Sequence, residues 1–327
     1  RLEGQWISAI KRRRVAMYSI PGEKAHDPAW RCQDAGMIVA PFDRQEDQAL
    51  FAVFDGHGSN GRQAAKECME RLPKYLVPAS YSTDPAAAFR RACHELQHDL
   101  AVGGTTTEYY ARSGTTLCAA LLVGRRLTVA NVGDSGCLRI SRQPSPGAGR
   151  SRLDVPSSDV GVEVVRRRFG GGTVETGVQV RGAVIGRLIV ERLSRDHKPE
   201  CDDELERIQA AGGVVFPLPN TSIGSGYMGR RAQAGSPGLR LGQVRACRNE
   251  GIVRDFGAKV PRVWRADGRG PGLAMSRSIG DKMAHSVGVT HEPEIIEVDL
   301  NATTDLMLVM ASDGVWDVLT PEDIRKV

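Results

Sequence analysis

The sequence predicts an α+β protein built as a layered sandwich, and two patterns in its 327 residues lead to that prediction. Short apolar strands come in antiparallel pairs, and the helical stretches are grouped between those pairs. A strict alternation of single strands and helices would instead have predicted a doubly wound parallel sheet. Hydrophobic residues make up 41% of the chain, which is enough apolar material for a sizeable core.

The first hundred residues predict two strands followed by two helices. Apolar runs at 36–40 and 49–54 have the length and composition of buried strands. Residues 61–77 and 84–101 have the pattern of helices, and Asp84 stands where a helix N-cap belongs. The two helices therefore follow one another without an intervening strand, as expected for a layered α+β chain.

The remaining regular segments are mostly strands. Residues 113–132 predict an antiparallel hairpin that turns at Gly124, and a third strand follows to Ile140. Residues 200–211 predict a short helix ended by glycines, and residues 305–311 predict a buried strand. These segments supply the second set of strands that a sandwich needs.

Two stretches, 143–184 and 217–260, interrupt this pattern of elements. Both are rich in Gly and Arg, and strand signals within them are weak. Segments of this composition do not bury enough apolar surface to fold as independent units. We therefore expect one domain over residues 1–327 that carries two insertions, each largely loop.

Three aspartates stand directly after predicted buried strands, in the pairs Asp55-Gly56, Asp134-Ser135 and Asp313-Gly314. A single Asp–Gly pair is most often an ordinary turn. Carboxylates that converge from several strand ends, however, repel one another unless a cation lies between them. Ligand sets made only of oxygen select hard ions such as Mg²⁺ or Mn²⁺ over zinc. Asp34, just before the first strand, is a candidate fourth member of such a site.

The segment from Phe51 to Gly58, Phe-Ala-Val-Phe-Asp-Gly-His-Gly, resembles the hallmark motif of the type 2C (PPM) metal-dependent protein serine/threonine phosphatases. Later motifs of that family are matched in the same order by blocks that begin at Ser113, Ala130, Leu193, Glu204, Gly272, Glu292 and Ala311. The matched blocks extend from residue 34 to residue 318. So many blocks in one order do not arise by chance.

The resemblance implies the fold of that family, an α-β-β-α sandwich of two antiparallel sheets flanked by helices. It also implies a protein serine/threonine phosphatase that hydrolyses phosphoserine and phosphothreonine. The implied mechanism is direct attack by a hydroxide held between two Mg²⁺ or Mn²⁺ ions, with a third, weaker ion beside them. Phosphoproteins are the substrates that the resemblance implies.

By match of motif, the resemblance assigns metal binding to Asp34, Asp55, Gly56, Asp134 and Asp313. Asp55 would bridge the two main ions and is therefore also a catalytic residue, whereas Asp134 matches the position tied to the third ion. His57 matches the general acid, a role that suits an imidazole with a pKa of about 6.5. Arg31 is the nearest match to the family's phosphate-binding arginine, although its spacing from Asp34 is short.

Two further polar residues in the matched blocks are predicted to be structural. His197 lies where the family begins the flap beside its cleft, and hydrogen bonding within the fold accounts for a histidine there. Asp281 is either near the metal site or a partner of Arg277, and the pairing with Arg277 is the favoured interpretation.

The chain stops at Val327, before the position of the family's last metal-binding aspartate, which belongs to an Asp–Asn pair. We therefore expect a domain truncated at its C-terminus, with the final strands missing. For this reason a second hypothesis stays open, a catalytically weak pseudophosphatase that acts as a phosphoprotein-binding module. A third hypothesis, a two-metal hydrolase of nucleotides, lacks the glycine-rich phosphate loop followed by lysine.

Composition also limits the expected partners and location. The net charge is +5, but no basic stripe with interleaved aromatic residues occurs, so nucleic acid is not an expected partner. No apolar run approaches the roughly 18 residues of a membrane span, and we expect a monomer without such a span. Seven cysteines without CxxC spacing predict reduced thiols and an intracellular location, cytoplasmic, nuclear or both.

Overall fold

The computed structural model describes residues 15–20, 31–77, 81–102, 109–142, 162–168, 174–180, 188–217 and 260–326. Within these ranges the helices are α1 (Gly61–Leu76), α2 (Pro85–Val102), α3 (Asp202–Ala210), α4 (Lys282–His285), α5 (Asp313–Trp316) and α6 (Pro321–Lys326). None of the described helices is both long enough and apolar enough to cross a membrane.

The described strands are β1 (Ala35–Val39), β2 (Gln48–Phe54), β3 (Gly56–His57), β4 (Gly114–Thr115), β5 (Leu117–Val123), β6 (Arg126–Val132), β7 (Gly136–Arg142), β8 (Val162–Arg168), β9 (Val174–Val180), β10 (Leu188–Arg192), β11 (Gly213–Pro217), β12 (Pro261–Arg265), β13 (Pro271–Leu273), β14 (Ile279–Gly280), β15 (Glu294–Asp299) and β16 (Asp305–Ala311). The two larger sheets have the strand orders β1-β2-β5-β6-β15 and β10-β7-β16. Both are antiparallel throughout.

Strand β2 shows why the main sheet lies inside the molecule. Its side chains alternate between the two faces, because successive residues of a strand point in opposite directions. Leu50 and Phe54 join the apolar cluster beneath helices α1 and α2. Ala49 and Phe51 join a second cluster that also contains Cys137 of β7. The sheet is therefore covered on both faces.

Helices α1 and α2 form the layer on the first face of the main sheet. The buried side of α1 carries Ala64, Cys68 and Leu72, which recur every four residues and so share one face of the helix. The predicted N-cap of α2 is confirmed, because the Ala87 N–H donates to Asp84 Oδ1 at 2.9 Å. Both helices lie within two residues of their predicted bounds.

The three-stranded sheet β10-β7-β16 forms the next layer. Leu308 and Met310 of β16 pack on the same cluster as Val129 of the main sheet, so the two sheets share one core. Beyond β10, helix α6 contacts the sheet. The predicted α+β layered sandwich is confirmed.

A small sheet, β14-β4-β3, joins the end of β2 to a distant part of the chain. In its register Gly114 pairs with His57 on one side and with Gly280 on the other. Residues near position 57 and residues near position 280 therefore lie side by side, although 224 positions separate His57 from Asp281.

The expectation of a largely loop insertion at 143–184 is wrong for part of that stretch. Strands β8 and β9 lie within it and pair as an antiparallel hairpin. The physical reason is the period-two placement of valines in Val162-Glu-Val-Val and Val174-Glu-Thr-Gly-Val, which the surrounding Gly and Arg residues concealed. The other predicted insertion, 217–260, lies almost wholly outside the described residues. The single domain remains a prediction.

The prediction of reduced thiols holds for five cysteines and is wrong for one. Free thiols occur at Cys32, Cys68, Cys93, Cys118 and Cys137. Cys201, in contrast, is disulfide-bonded. The absence of CxxC spacing did not reveal this bond, because a disulfide needs proximity in the fold and not in the sequence.

Candidate active site

Asp55 is held at the end of β2, where the apolar strand leaves the core. Its backbone N–H donates to Thr116 Oγ1 at 2.9 Å, and its carbonyl accepts the Thr116 N–H at 2.9 Å. Thr116 Oγ1 lies in turn 2.7 Å from Ser135 Oγ, beside Asp134. Because Thr116 and Ser135 are completely buried, they hold two of the predicted metal-binding aspartates in one rigid frame.

Gly56 follows Asp55 at a point where no side chain fits. An added Cβ would stand 2.3 Å from the Gly61 carbonyl oxygen and 2.7 Å from the Gln33 carbonyl oxygen. The glycine therefore lets the start of α1 and the segment before β1 pack directly against the end of β2. This close approach brings Asp34, the neighbour of Gln33, towards Asp55.

The segments that carry Asp34 and Asp313 meet although they come from opposite ends of the described chain. Ser312 Oγ donates to Asp34 Oδ2 at 3.0 Å across 278 positions of sequence. The next residue, Asp313, begins α5 where β16 ends. The end of β16 therefore places Asp313 close to the segment before β1.

The carboxylates of Asp34, Asp55, Asp134 and Asp313 form one electrostatic unit, called the acidic cluster below. Burial raises the pKa of Asp55 well above its ordinary value, and the other three carboxylates raise it further. Burial likewise raises the pKa of Asp313, and the charges of Asp134 and Asp317 add to the effect. The predicted metal ligands are thus brought together.

Lys198 places a positive charge within the acidic cluster. Its ammonium group pairs with Asp134, and the two side chains are only 10% and 3% exposed. The same ammonium opposes the rise in the pKa of Asp313 that burial and the nearby carboxylates cause. A single fixed cation does not balance four neighbouring carboxylates, so the cluster has negative charge left for mobile cations.

The acidic cluster suits a hard divalent cation in its chemistry, but it is not a complete coordination shell. In the part of the chain that the structure describes, no group of three or more His, Cys, Asp or Glu side chains is arranged to hold a metal ion. Mg²⁺ commonly uses one or two protein carboxylates and keeps several waters. The carboxylates therefore fit such an ion through few direct ligands, and the Gly56 carbonyl as a further oxygen ligand remains a prediction.

His57 lies beside the acidic cluster and has Asp281 as its partner. The distance from His57 Nε2 to Asp281 Oδ2 is 2.5 Å. Burial alone would lower the pKa of His57, but the Asp281 carboxylate raises it above its ordinary value. The interpretation of Asp281 as a partner of Arg277 is wrong, because Arg277 pairs with the buried Glu204 at 2.5 Å.

A profile of the protein phosphatase 2C family matches residues 24–146 and 181–327, which together are most of the chain. The chain belongs to the protein phosphatase 2C family. As a member it is a serine/threonine protein phosphatase, with phosphoproteins as its substrates, and metal dependence is general in this family. The resemblance found in the sequence motifs is thereby confirmed.

Similar proteins from plants share this family. The chain is 28% identical over 315 residues to "Probable protein phosphatase 2C 35" of Arabidopsis thaliana, with 94% of this chain and 72% of the relative covered. It is 27% identical over 318 residues to "Probable protein phosphatase 2C 64" of Oryza sativa subsp. japonica, with 95% and 55% covered. The chain thus spans only about half of the second relative.

Solved structures share the fold. The serine-threonine phosphatase 2C from Toxoplasma gondii has a TM-score of 0.61 at 16% identity, over 90% of this chain and 78% of that one. A sex determining protein of C. elegans has a TM-score of 0.57 at 17% identity, over 94% of this chain and 53% of that one. At these identities the likeness shows the fold alone, and it confirms the predicted α-β-β-α sandwich.

Other predicted residues of this protein phosphatase 2C chain have clear places in the structure. Arg31 is exposed at the start of a described segment, and its phosphate-binding role remains a prediction. His197 is buried: the Gly133 N–H donates to its Nδ1 at 3.1 Å, and its Nε2 lies 3.4 Å from Glu294 Oε2. The structural hydrogen bonding predicted for His197 is therefore present.

Sequence reasoning missed Lys198 and Ser312 as parts of the site. Both stand inside matched motif blocks, directly after His197 and directly before Asp313. Only their position within a matched block could have identified them, since neither a lysine nor a serine by itself indicates a metal site. The contact between His57 and Asp281 had no signal in the sequence beyond the presence of both residues in matched blocks.

Proposed function

We propose that the acidic cluster is the catalytic centre of a Mg²⁺- or Mn²⁺-dependent phosphatase that hydrolyses phosphoserine and phosphothreonine in proteins. The observation that carries this proposal is the convergence of Asp34, Asp55 and Asp313 from distant parts of the chain. Hard cations match their oxygen ligands and offset their mutual repulsion. The raised pKa values of Asp55 and Asp313 support the proposal, because burial raises both and the charges of neighbouring carboxylates add to the effect.

Asp55 and Asp313 would hold two cations through carboxylate oxygens, with Asp34 and the Gly56 carbonyl as further ligands. Asp134, which also pairs with Lys198, would contribute to a weaker third site. When bound, the cations would supply a water of lowered pKa for direct attack on phosphorus and would neutralise the phosphate oxygens.

The chain itself supplies a proton at the other end of the scissile bond. The leaving seryl or threonyl oxygen needs a proton as its bond to phosphorus breaks, and His57 is the imidazole beside the acidic cluster. No thiol nucleophile is part of the proposal. Burial raises the pKa of Cys68, Cys93 and Cys118, so these thiols do not provide a reactive thiolate at neutral pH.

We further propose that residues 1–327 act as one catalytic domain, monomeric and intracellular. The shared core of the two larger sheets supports a single domain. Size-exclusion chromatography with light scattering tests the monomer, and a mass well above 35.4 kDa would contradict it.

Turnover of a phosphothreonine peptide tests the proposed function. The chain should release phosphate with Mn²⁺, lose this activity in EDTA and regain it when Mn²⁺ is restored in excess. Asp55→Asn keeps the side-chain shape but removes the charge, and it should lower kcat by on the order of 100-fold or more. Glu70→Gln is the matched control, because Glu70 is an exposed carboxylate that pairs only with Lys66 of the same helix among the described contacts.

Two outcomes of this assay would contradict the proposal. Turnover that persists in EDTA would exclude metal dependence. Phosphopeptide binding without turnover at any Mn²⁺ concentration would support the pseudophosphatase hypothesis instead.

A further inference from the structure

An exposed arginine lies beside the proposed catalytic centre. The main chain of Arg112 runs against Gly58, where an added Cβ would stand 2.3 Å from the Arg112 carbonyl oxygen. Two residues further along the chain, Gly114 pairs with His57 in the register of β3 and β4. Gly58 follows Asp55 by only three positions, which is at most about 10 Å of chain. Arg112 is therefore a near neighbour of the acidic cluster.

The guanidinium of Arg112 is held against the turn between β12 and β13. Its Nη2 donates to the Arg269 carbonyl at 2.9 Å. An added Cβ at Gly270 would stand 3.3 Å from Arg112 Cζ, so the glycine lets the guanidinium pack closely on the turn. The turn is closed by hydrogen bonds from the Arg265 N–H to the Gly270 carbonyl at 2.7 Å and from the Gly268 N–H to the Arg265 carbonyl at 2.9 Å. Backbone contacts thus fix the position of this charge.

Arg112 keeps most of its hydrogen-bonding capacity for a ligand. A guanidinium has five N–H donors, and the described contacts of Arg112 use one of them, towards a carbonyl. Acidic residues of the adjoining segments already have partners, since Asp281 contacts His57 and Asp267 pairs with Arg265 at 3.3 Å. Within the described ranges no carboxylate neutralises Arg112, so its charge and its remaining donors face solvent.

Two further exposed cations lie on the segments that pack against Arg112. Arg269 belongs to the turn that accepts the Arg112 hydrogen bond. Lys282 begins α4, and its N–H donates to the Tyr110 carbonyl at 3.3 Å, which brings α4 beside the same segment. The described residues supply no carboxylate partner for Arg269 or Lys282, and both side chains are exposed. Arg112, Arg269 and Lys282 are called the basic rim below.

We propose that the basic rim binds acidic side chains of the phosphoprotein substrate that lie within about five residues of the phosphoserine or phosphothreonine. This inference rests on the proposed function, which puts the phosphoryl group at the acidic cluster. An extended peptide advances about 3.3 Å per residue, so a span of three to five residues covers roughly 10–17 Å. A span of that length reaches from the acidic cluster to the basic rim, where a guanidinium pairs with a carboxylate in a matched geometry.

Two matched phosphothreonine peptides test this specificity. One peptide has Glu at the positions three to five residues from the phosphothreonine on both sides, and the other has Gln there. Wild type should have a kcat/KM about 5-fold to 20-fold higher for the Glu peptide, because each exposed ion pair contributes a small factor. The difference should arise mainly in KM and should shrink as NaCl is raised, since salt screens exposed charges.

Substitutions of Arg112 test whether the basic rim causes the preference. Arg112→Gln should lower the Glu-to-Gln ratio of kcat/KM by about threefold or more, and Arg112→Glu should lower it further. A variant that fails to fold loses both peptides alike, so the ratio reports specificity and not folding. Arg126→Gln is the matched control, because Arg126 is an exposed arginine at the end of β6 opposite to Asp134, and it should keep the wild-type ratio.

Binding without turnover keeps this inference separate from the proposed function. The same two peptides are made with a non-hydrolysable phosphonate in place of the threonine phosphate, and their binding to the wild-type chain in Mn²⁺ is followed by fluorescence anisotropy. The Glu peptide should bind more tightly, and Arg112→Glu should remove this difference. Equal binding of the two peptides, or a preference that Arg112→Glu leaves unchanged, would overturn the basic rim even in an active enzyme. An inactive chain that prefers the Glu peptide would contradict the proposed function and support the basic rim.

Discussion

The ionised carboxylate of Asp55 destabilises the folded state of the metal-free protein. Burial and the neighbouring carboxylates raise its pKa, which means that the folded state disfavours the ionised form. When the pKa of a carboxyl group is higher in the folded state than in the unfolded state, the free energy of unfolding falls as pH rises through the interval between the two pKa values. At neutral pH the folded, metal-free chain is therefore destabilised, because this group ionises freely only in the unfolded state, and functional sites commonly carry such a cost.

Replacement of this ionisable group by an amide should stabilise the metal-free chain. We expect Asp55→Asn to raise the free energy of unfolding at pH 7 by about 0.5–2 kcal/mol, because the amide keeps the shape and ends the repulsion. Urea unfolding in EDTA measures the change, with Glu70→Gln as a control that should be neutral. A less stable Asp55→Asn variant would show that the carboxylate has a favourable partner in the metal-free state.

A buried carboxylate on helix α3 contributes to the attachment of that helix to the rest of the fold. Glu204 is fully buried and accepts hydrogen bonds from Arg277 at 2.5 Å, from Ser276 at 2.5 Å and from Arg207 at 2.7 Å. Burial by itself would raise the pKa of Glu204, but these hydrogen bonds outweigh it and hold the pKa well below the ordinary value. The carboxylate therefore stabilises the fold only while it is ionised.

Loss of this charge should loosen α3. We expect Glu204→Gln to destabilise the chain by about 3–5 kcal/mol, because two arginines lose their buried counter-charge. The difference from wild type should be complete above the unfolded pKa of about 4.3 and should shrink as pH falls towards the lower folded pKa. Glu206→Gln, an exposed change on the same helix, should have little effect. Urea unfolding at pH 7 and pH 3 measures both, and a difference that grows in acid would contradict this account.

Most helices and strands could be predicted from the sequence, because hydrophobic periodicity and capping residues are patterns within a single element. The hairpin of β5 and β6 and the helices α1 and α2 followed from such patterns. The hairpin of β8 and β9 did not, because its valines lie among Gly and Arg residues that favour loops. Short strands such as β3, β4 and β14 carry too few residues to show any period, and the tertiary structure defines them.

At the scale of the whole molecule, the motifs gave the residues of the site but not their contacts. Asp34, Asp55, Asp134 and Asp313 were identifiable as a group because each stands beside a strand. The pairing of Asp281 with His57 depends on the register of β14 and β4, which the sequence does not specify. Lys198 was missed in the same way, because its contact with Asp134 arises only from the packing of residues 193–198 beside β7.

Mn²⁺ binding by the metal-stripped chain, followed by electron paramagnetic resonance without substrate, tests the central claim most directly. Wild type should take up Mn²⁺ and lose the signal of the free ion, whereas Asp55→Asn should bind much more weakly and Glu70→Gln should match wild type. Equal Mn²⁺ binding by wild type and Asp55→Asn, or no binding by wild type, would contradict the assignment of the acidic cluster as the metal centre.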